Sequence, residues 1–169
     1  MKRVLSVLLA AALLVGALTI FCGAAKVAPS KQKLSVDGIV VKCEVYNIDG
    51  SNYFKLRDLA ALLNGTPAQF SVKWDEKNKT ISLLTSKPYT AEGSELKVGS
   101  DQSVTAKPSV TSLLVDGRKV DGLTAYNIGG NNYFKLRDLA GWLYFDVDYN
   151  QVADTVAITS EQLTGCETC

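Results

Sequence analysis

Residues 46–60 read YNIDGSNYFKLRDLA, and residues 126–140, placed 80 positions further on, read YNIGGNNYFKLRDLA. Thirteen of these fifteen positions are identical. Similarity at such a long spacing indicates two copies of one structural unit. Looser matches extend the unit outward, in three pairs of segments: residues 36–38 with 115–117, 70–74 with 145–149, and 80–83 with 155–158. Each copy is therefore about 50 residues long.

Dipeptides that contain glycine divide the start of each copy into short apolar runs. Glycine takes up the positive φ of a tight hairpin turn at low cost, so these dipeptides predict hairpins. We expect three strands at the start of each copy. The dipeptides are Asp37-Gly38 and Asp49-Gly50 in the first copy, and Asp116-Gly117 and Gly129-Gly130 in the second.

One short helix and a closing hairpin are predicted to complete each copy. Leu56, Leu59 and Leu63 recur at the spacing of one helix face. Phe70 and Trp74 belong to a strictly alternating run that is typical of a half-buried strand. The predicted unit is βββαββ. The predicted fold class is α+β, with two tandem small repeats, each an antiparallel sheet of about five strands packed on one helix.

The N-terminus has the pattern of a secretory signal peptide. Lys2 and Arg3 are basic, residues 4–21 are almost entirely apolar, and small residues lead up to Ala25. We expect residues 1–25 to be a signal peptide and the protein to be secreted or exposed on the cell surface. The apolar run is also just long enough to span a bilayer, so an uncleaved membrane anchor is the alternative.

The remaining chain divides at changes in composition. We assign residues 26–86 to the first repeat, 112–160 to the second repeat, and 161–169 to a C-terminal tail. Residues 87–111 are rich in Ser, Thr, Gly, Lys and Pro and are interpreted as a linker. Strands of its own are expected around residues 95–98 and 103–106.

Charge and composition exclude several classes of function. Removing Lys2 and Arg3 from the 18 basic residues leaves 16 against 17 acidic residues, a net charge of −1, without a basic segment for nucleic acid. The chain contains no histidine, which excludes imidazole metal sites and histidine-activated nucleophiles. Asp146 and Asp148 share a predicted strand face, where a solvated surface is favoured over acid-base or cation chemistry. We expect no enzyme activity, no cofactor and no metal.

The string YNIxGxNYFKLRDLA, followed by FSVKWD or FDVDYN, resembles the copper amine oxidase N-terminal-like domain, also called the stalk domain. The resemblance covers both copies. It implies a small sheet against one helix, found in tandem in exported proteins of Gram-positive bacteria. It also implies a secreted or cell-surface accessory module, without catalytic residues to carry over.

Three cysteines follow the signal segment, namely Cys43, Cys166 and Cys169, and all three are disulfide candidates. Cys166 and Cys169 have the spacing of a dithiol redox motif. Such a motif works at the start of a helix, for which no chain follows here. A disulfide within the tail is therefore favoured, and a thiol redox enzyme is the less favoured alternative.

Six repeated polar and aromatic residues are the candidate ligand-binding residues: Asn52, Tyr53, Arg57, Asn132, Tyr133 and Arg137. An exposed tyrosine beside an asparagine would stack on a sugar ring and bond its hydroxyls. The alternatives are that the tyrosines pack in the core and that each arginine has a structural role. The expected function is a module that binds a cell-wall or extracellular polysaccharide. The alternative is a protein-protein interaction or spacer element, with another surface protein as the partner.

Overall fold

The computed structural model describes residues 24–99 and 102–161 of the chain. Strands take 46% of the described residues and helices 11%, so the protein is mostly β. The strands are β1 Ala25–Val27, β2 Lys33–Val36, β3 Ile39–Val41, β4 Val45–Ile48, β5 Ser51–Lys55, β6 Phe70–Asp75, β7 Thr80–Thr85, β8 Val104–Pro108, β9 Ser112–Val115, β10 Arg118–Val120, β11 Ala125–Ile128, β12 Asn131–Lys135, β13 Asp146–Asn150 and β14 Thr155–Thr159. The helices are α1 Leu56–Leu62 and α2 Leu136–Leu143.

The structure contains the turns and helices that the sequence predicts, and each lies where its residues favour it. Asp37 and Gly38 both have positive φ, of 49° and 80°, and they join β2 to β3 in a two-residue turn. Helix α1 follows β5 directly and buries Leu56 and Leu59. Tyr144, the residue that follows and caps α2, has a left-handed backbone with φ of 59°.

A six-stranded sheet lies at the centre, with the strand order β1-β8-β11-β12-β5-β4. The pair of β12 and β5 joins the two copies, because β5 of the first copy runs antiparallel to β12 of the second. Phe54 lies directly opposite Phe134 in this pair, and the two residues are equivalent in the repeat. The copies are therefore related by an approximate twofold axis that passes close to these phenylalanines.

Two four-stranded sheets form by exchange of hairpins between the copies. The closing hairpin β6-β7 of the first copy pairs with the opening hairpin β9-β10 of the second, in the order β10-β9-β7-β6. The closing hairpin β13-β14 of the second copy pairs in the same way with β2-β3 of the first. The strands at each junction, β7 with β9 and β14 with β2, are parallel. Each sheet thus depends on both copies.

The predicted α+β fold class, with one five-stranded sheet on one helix in each copy, is wrong. Each of the three sheets contains strands of both copies, and each copy has more than three strands before its helix. The chain between residues 41 and 45 leaves the sheet, so the run predicted as one strand is divided into β3 and β4. Within the predicted linker, a strand forms at Val104–Pro108, whereas residues 95–98 form none.

The hydrophobic core also spans both copies. Its main cluster includes Leu59 and Phe70 of the first copy together with Leu139 and Phe145 of the second, all almost completely buried. A smaller cluster packs tyrosines of both copies, among them Tyr46 and Tyr133, whose ring centroids are 5.3 Å apart. Separation of the copies would expose both clusters to water.

The aspartate of each opening turn fixes the end of the exchanged hairpin. Asp116 accepts hydrogen bonds from the Thr85 backbone N–H at 3.0 Å and from the Thr85 hydroxyl at 2.7 Å. Asp37 accepts the equivalent two bonds from Ser160, both at 2.8 Å. These four bonds all cross between copies. Each Asp-Gly turn therefore holds the other copy's closing strand in place.

We expect Asp116→Ala to lower the free energy of unfolding by about 1–3 kcal/mol, because it removes two charge-assisted bonds and places alanine at positive φ. The bonds from Thr85 lower the pKa of Asp116. Its contribution is therefore present above the ordinary aspartate pKa of about 3.9 and is lost as the pH falls further. Urea unfolding at pH 7 and pH 3 measures both effects.

The control for this prediction is Asp116→Asn, which tolerates positive φ but lacks the carboxylate. The difference in stability between wild type and Asp116→Asn should narrow at pH 3. A difference that is the same at both pH values would contradict the role of the carboxylate.

In the part of the chain that the structure describes, neither helix has the length and apolar character needed to cross a bilayer. Residues 1–23 of the predicted signal segment lie outside the described residues, whereas Ala25 belongs to β1.

Candidate binding site

Two open grooves occupy equivalent positions on the two halves of the molecule. The larger groove has a volume of about 640 Å³, and we call it the Trp74 groove. One wall comes from the first copy, and the other comes from the second copy together with the chain that leads into it. The side chains that define it are Arg57, Trp74, Lys107, Asn127 and Asn132.

The smaller groove has a volume of about 280 Å³, and we call it the Tyr149 groove. With the exception of Lys107, the residues above have repeat equivalents in this groove, with the copies exchanged. Arg137 and Tyr149 come from the second copy, and Asn47 and Asn52 come from the first. Both grooves therefore exist only because the two copies are interlocked.

The local structure explains why these side chains meet. Arg57 lies in the first turn of α1, next to the end of β5, and Trp74 lies on β6. Asn127 and Asn132 are directly opposite each other in the β11-β12 hairpin. Because β5 pairs with β12, the helix start of one copy lies beside the asparagine hairpin of the other.

The indole of Trp74 is held in a fixed orientation. Its Nε1–H donates a hydrogen bond of 2.6 Å to Glu76 Oε2, and Lys79 Nζ lies 5.9 Å from the ring centroid. The hydrogen bonds that Glu76 accepts from Lys79 and Trp74 lower the pKa of its carboxyl. Trp74 itself remains partly exposed in the groove. A planar apolar ring with a preset orientation is suited to stacking.

Tyr149 is the equivalent ring in the other groove and is exposed. Its hydroxyl donates a hydrogen bond of 2.7 Å to Asp154, and this bond raises the pKa of Tyr149. The phenol is therefore neutral at physiological pH. It offers a ring face in the same position as Trp74.

The asparagine amides are oriented by hydrogen bonds around each groove. Asn47 Nδ2 donates to Asn52 Oδ1 at 3.1 Å, and Asn52 Nδ2 donates to Gln32 Oε1 at 2.7 Å. In the Trp74 groove, Asn132 Oδ1 accepts a bond of 3.0 Å from the Ser109 hydroxyl. Amides held in this way present further donors and acceptors to a polar ligand.

The basic side chains differ between the grooves. Arg57 forms an ion pair with Glu92, a residue of the predicted linker. Arg137, its equivalent, is exposed and has no ion-pair partner among the described residues. Lys107 adds an exposed ammonium group to the Trp74 groove alone. The two grooves therefore have the same arrangement of equivalent residues, but their basic side chains differ.

The structure separates the predicted site residues into two sets. Arg57 and Asn132 line the Trp74 groove, and Arg137 and Asn52 line the Tyr149 groove. The members of each pair belong to different copies, so proximity along the sequence did not reveal which residues meet.

Tyr53 and Tyr133 do not form the exposed stacking rings that were one expectation, because they are only 5% and 1% exposed. The alternative, in which both tyrosines pack, is the one observed. Tyr53 packs edge-to-face on Tyr126, and Tyr133 packs in the same way on Tyr46. Tyr133 also donates a hydrogen bond of 2.8 Å to Glu44. These tyrosines join the two copies.

Sequence reasoning missed the two aromatic residues of the grooves. Trp74 was assigned only to strand alternation, and Tyr149 was used only in the match between the two copies, where it is equivalent to Trp74. The retention of a large aromatic ring at a half-exposed position of both closing hairpins was the available signal.

Among the described residues, Cys43 is a free cysteine, and burial raises the pKa of its thiol to about 12. A thiol with this pKa is protonated at neutral pH and reacts slowly. The other two disulfide candidates, Cys166 and Cys169, lie outside the described residues. Within residues 24–99 and 102–161, no group of three or more Cys, Asp or Glu side chains is placed to hold a metal ion.

Comparison with protein-family models finds no match to this chain, and comparisons with curated proteins and with solved structures find none either. The resemblance to the copper amine oxidase N-terminal-like domain therefore stays a prediction. The assignment of the candidate site therefore rests on the geometry of the two grooves described above.

Proposed function

We propose that this protein is a non-catalytic module that binds an extracellular polymer, a cell-wall or other polysaccharide, through its two equivalent grooves. One observation carries the proposal. Each groove brings together an aromatic ring, an arginine and a pair of asparagine amides, and it does so from both copies.

These side chains match the chemistry of a sugar. The apolar face of a pyranose ring stacks on an aromatic face such as that of Trp74. Amide groups donate to and accept from hydroxyl groups, and a guanidinium bonds hydroxyls or carboxylates with its planar set of donors. The grooves are open, as the binding of one segment of a long chain requires.

Two such grooves on one rigid body favour a polymer over a small molecule. After one groove has bound, a second segment of the same polymer reaches the other groove at a high effective concentration. The same proposal places the protein outside the cell, since its N-terminal segment has the pattern of a secretory signal peptide.

A rigid spacer that positions or contacts another surface protein is the second candidate. The interlocked copies support it, because the three sheets cannot move independently when each contains strands of both copies. The burial of Tyr53 and Tyr133 between the copies supports it as well. The two candidates differ in whether the grooves bind polymer.

Trp74→Ala and Tyr149→Ala are each expected to weaken retention on an insoluble cell-wall or polysaccharide preparation, and the double variant is expected to lose it. Each single change leaves only one groove with its aromatic ring. The gain in apparent affinity from bivalency, on the order of 10²-fold, is then lost. Sedimentation of the purified protein with each preparation measures the bound fraction.

The matched control is Tyr144→Asn, which removes an exposed aromatic outside both grooves and introduces the residue found at the equivalent position of the first copy. This variant should bind as wild type does. Full binding by the double variant would refute the role of the grooves. Absence of binding to every preparation would leave the spacer function as the better account.

A further inference from the structure

Strand β3 lies at the outer edge of one four-stranded sheet, and its exposed side chains are apolar. The sheet has the order β13-β14-β2-β3, so β2 is the only described strand that pairs with β3. Ile39 is 70% exposed and Val40 is 65% exposed. An edge of this kind presents unpaired backbone groups beside apolar side chains, which is the combination that accepts another strand.

The equivalent strand of the second copy, β10, is also an edge strand, but it is charged. Arg118 and Lys119 occupy the positions of Ile39 and Val40, and both are exposed. A lysine on an edge strand opposes pairing with a further strand, because its ammonium group would lose water or meet a like charge. The other edges of the two four-stranded sheets, β6 and β13, also carry exposed charged residues, namely Lys73, Asp75, Asp146 and Asp148. In the described chain, β3 is therefore the one edge of these sheets without a charged residue.

The backbone of Val40 faces away from the sheet. The turn that joins β2 to β3 has two residues, and it is flanked by Val36 and Ile39, which are register partners. Such a flanking pair exchanges both hydrogen bonds. The next pair, Ser35 and Val40, therefore exchanges none, because bonded and non-bonded pairs alternate in an antiparallel ladder. The N–H and C=O of Val40 thus point towards the free edge, at the position where β10 has Lys119.

The side chains along β3 leave part of the core uncovered. Val41 packs against the main core cluster but is partly exposed, whereas Val120, its equivalent on β10, is 6% exposed. Ile39 lies on the same face of the strand as Val41, because side chains alternate along a strand. A further strand placed beside β3 would cover both residues and extend the apolar layer of the sheet.

We propose that β3 is a self-association edge, at which two molecules of this protein pair their β3 strands antiparallel about a twofold axis through Val40. The two Val40 residues then exchange a pair of hydrogen bonds across the axis. Ile39 of each molecule lies opposite Val41 of the other, so the apolar residues that the monomer exposes cover one another.

Self-pairing suits this edge better than pairing with any other described edge. In this register no like charges meet, and the exposed Lys42 of one molecule comes close to Asp37 of the other. The same arrangement on β10 would place Lys119 directly opposite Lys119. Pairing of β3 with β6, β10 or β13 of a second molecule would set charged side chains beside apolar ones. A second β3 strand is therefore the matching partner.

The dimer is expected to be weak. A pair of three-residue strands buries less than the roughly 1,200–2,000 Å² of a stable interface, so we expect a Kd on the order of 0.1–1 mM. Ile39, Val40 and Val41 line neither the Trp74 groove nor the Tyr149 groove. The association therefore does not depend on the proposed binding of a polymer.

Sedimentation velocity of the purified protein between about 10 µM and 1 mM tests the proposal, with reductant present so that disulfides between molecules do not contribute. The wild type is expected to shift from monomer to dimer. Ile39→Arg combined with Val40→Lys gives β3 the residues of β10 and should stay monomeric over this range. The matched control is Leu84→Lys, which removes an exposed apolar residue from β7, an inner strand, and should dimerise as the wild type does.

Two further measurements locate the contact at the edge. Exchange of the Val40 amide hydrogen should slow about twofold when half of the molecules are dimeric, whereas exchange at Lys119 should not change with concentration. Arg118→Ile combined with Lys119→Val gives each molecule a second apolar edge and should produce open chains longer than a dimer. A wild type that stays monomeric at about 1 mM would overturn the proposal, as would dimerisation that survives the change of Ile39 and Val40.

Discussion

Residues 24–99 and residues 102–161, prepared as separate fragments, are expected to be largely unfolded alone and to regain the native fold when mixed in equal amounts. Alone, the first fragment lacks the partners of β7 and β2, and the second lacks those of β9 and β14. Apolar side chains that are almost fully buried in the intact protein would be exposed in each fragment. Circular dichroism and tryptophan fluorescence of the fragments and of their mixture measure the effect.

A matched control uses Leu113→Asp in the second fragment. Leu113 is buried and lies opposite Ile81 in the parallel pair of β7 and β9. A charge at this position should prevent assembly, because it would be buried without a partner. A first fragment that folds alone as a stable monomer would contradict the exchange of hairpins.

Asp58→Ala is expected to lower the free energy of unfolding by about 3–5 kcal/mol, whereas Asp138→Ala, the same change in the other copy, should cost about 0–1 kcal/mol. Asp58 pairs with Lys55 at 2.9 Å, and the two side chains are only 1% and 8% exposed. Asp138 and Lys135 are 3.9 Å apart and about one third exposed. Loss of Asp58 would leave a buried ammonium group without its counter-charge. Chemical denaturation of both variants measures the difference.

A double variant separates the cost of an unpaired charge from the value of the pair. Lys55→Met combined with Asp58→Leu removes both charges and should recover most of the stability that Asp58→Ala loses. Asp58 Oδ2 is buried and makes no hydrogen bond to a described residue, so the native pair is itself incompletely satisfied. Equal destabilisation by Asp58→Ala and Asp138→Ala would contradict the proposed difference in burial.

The local elements of this fold are readable from the sequence, and the pairing of its strands is not. Asp37-Gly38 predicts a turn because glycine accepts positive φ, and the spacing of Leu56 and Leu59 predicts a helix. Alternation shows which face of a strand is buried but does not identify the neighbouring strand. The two copies have nearly the same pattern, so β7 could pair within its own copy or with β9, and only the three-dimensional structure distinguishes these arrangements.

Prediction of the site from the sequence is limited in the same way. Tyr53 and Phe54 point to opposite faces of β5, and alternation predicts that one of them is exposed. In the structure the central sheet is covered on both faces, with Phe54 in the main cluster and Tyr53 in the smaller one. The exposed rings are instead on β6 and β13, where exchange of hairpins brings Trp74 and Tyr149 to the asparagines of the other copy.

The parallel pair of β2 and β14 also determines how the protein responds to mechanical force. The chain enters β2 at Lys33, which lies opposite Thr155, and leaves β14 at Thr159, beyond the pair of Ile158 and Val36. A pull on the two flanking segments, once the short β1 has detached, therefore acts along the strands in opposite directions. The hydrogen bonds of a parallel pair are evenly spaced, so they share this shear load and do not open one after another. The arrangement suits a protein that must keep its shape under tension.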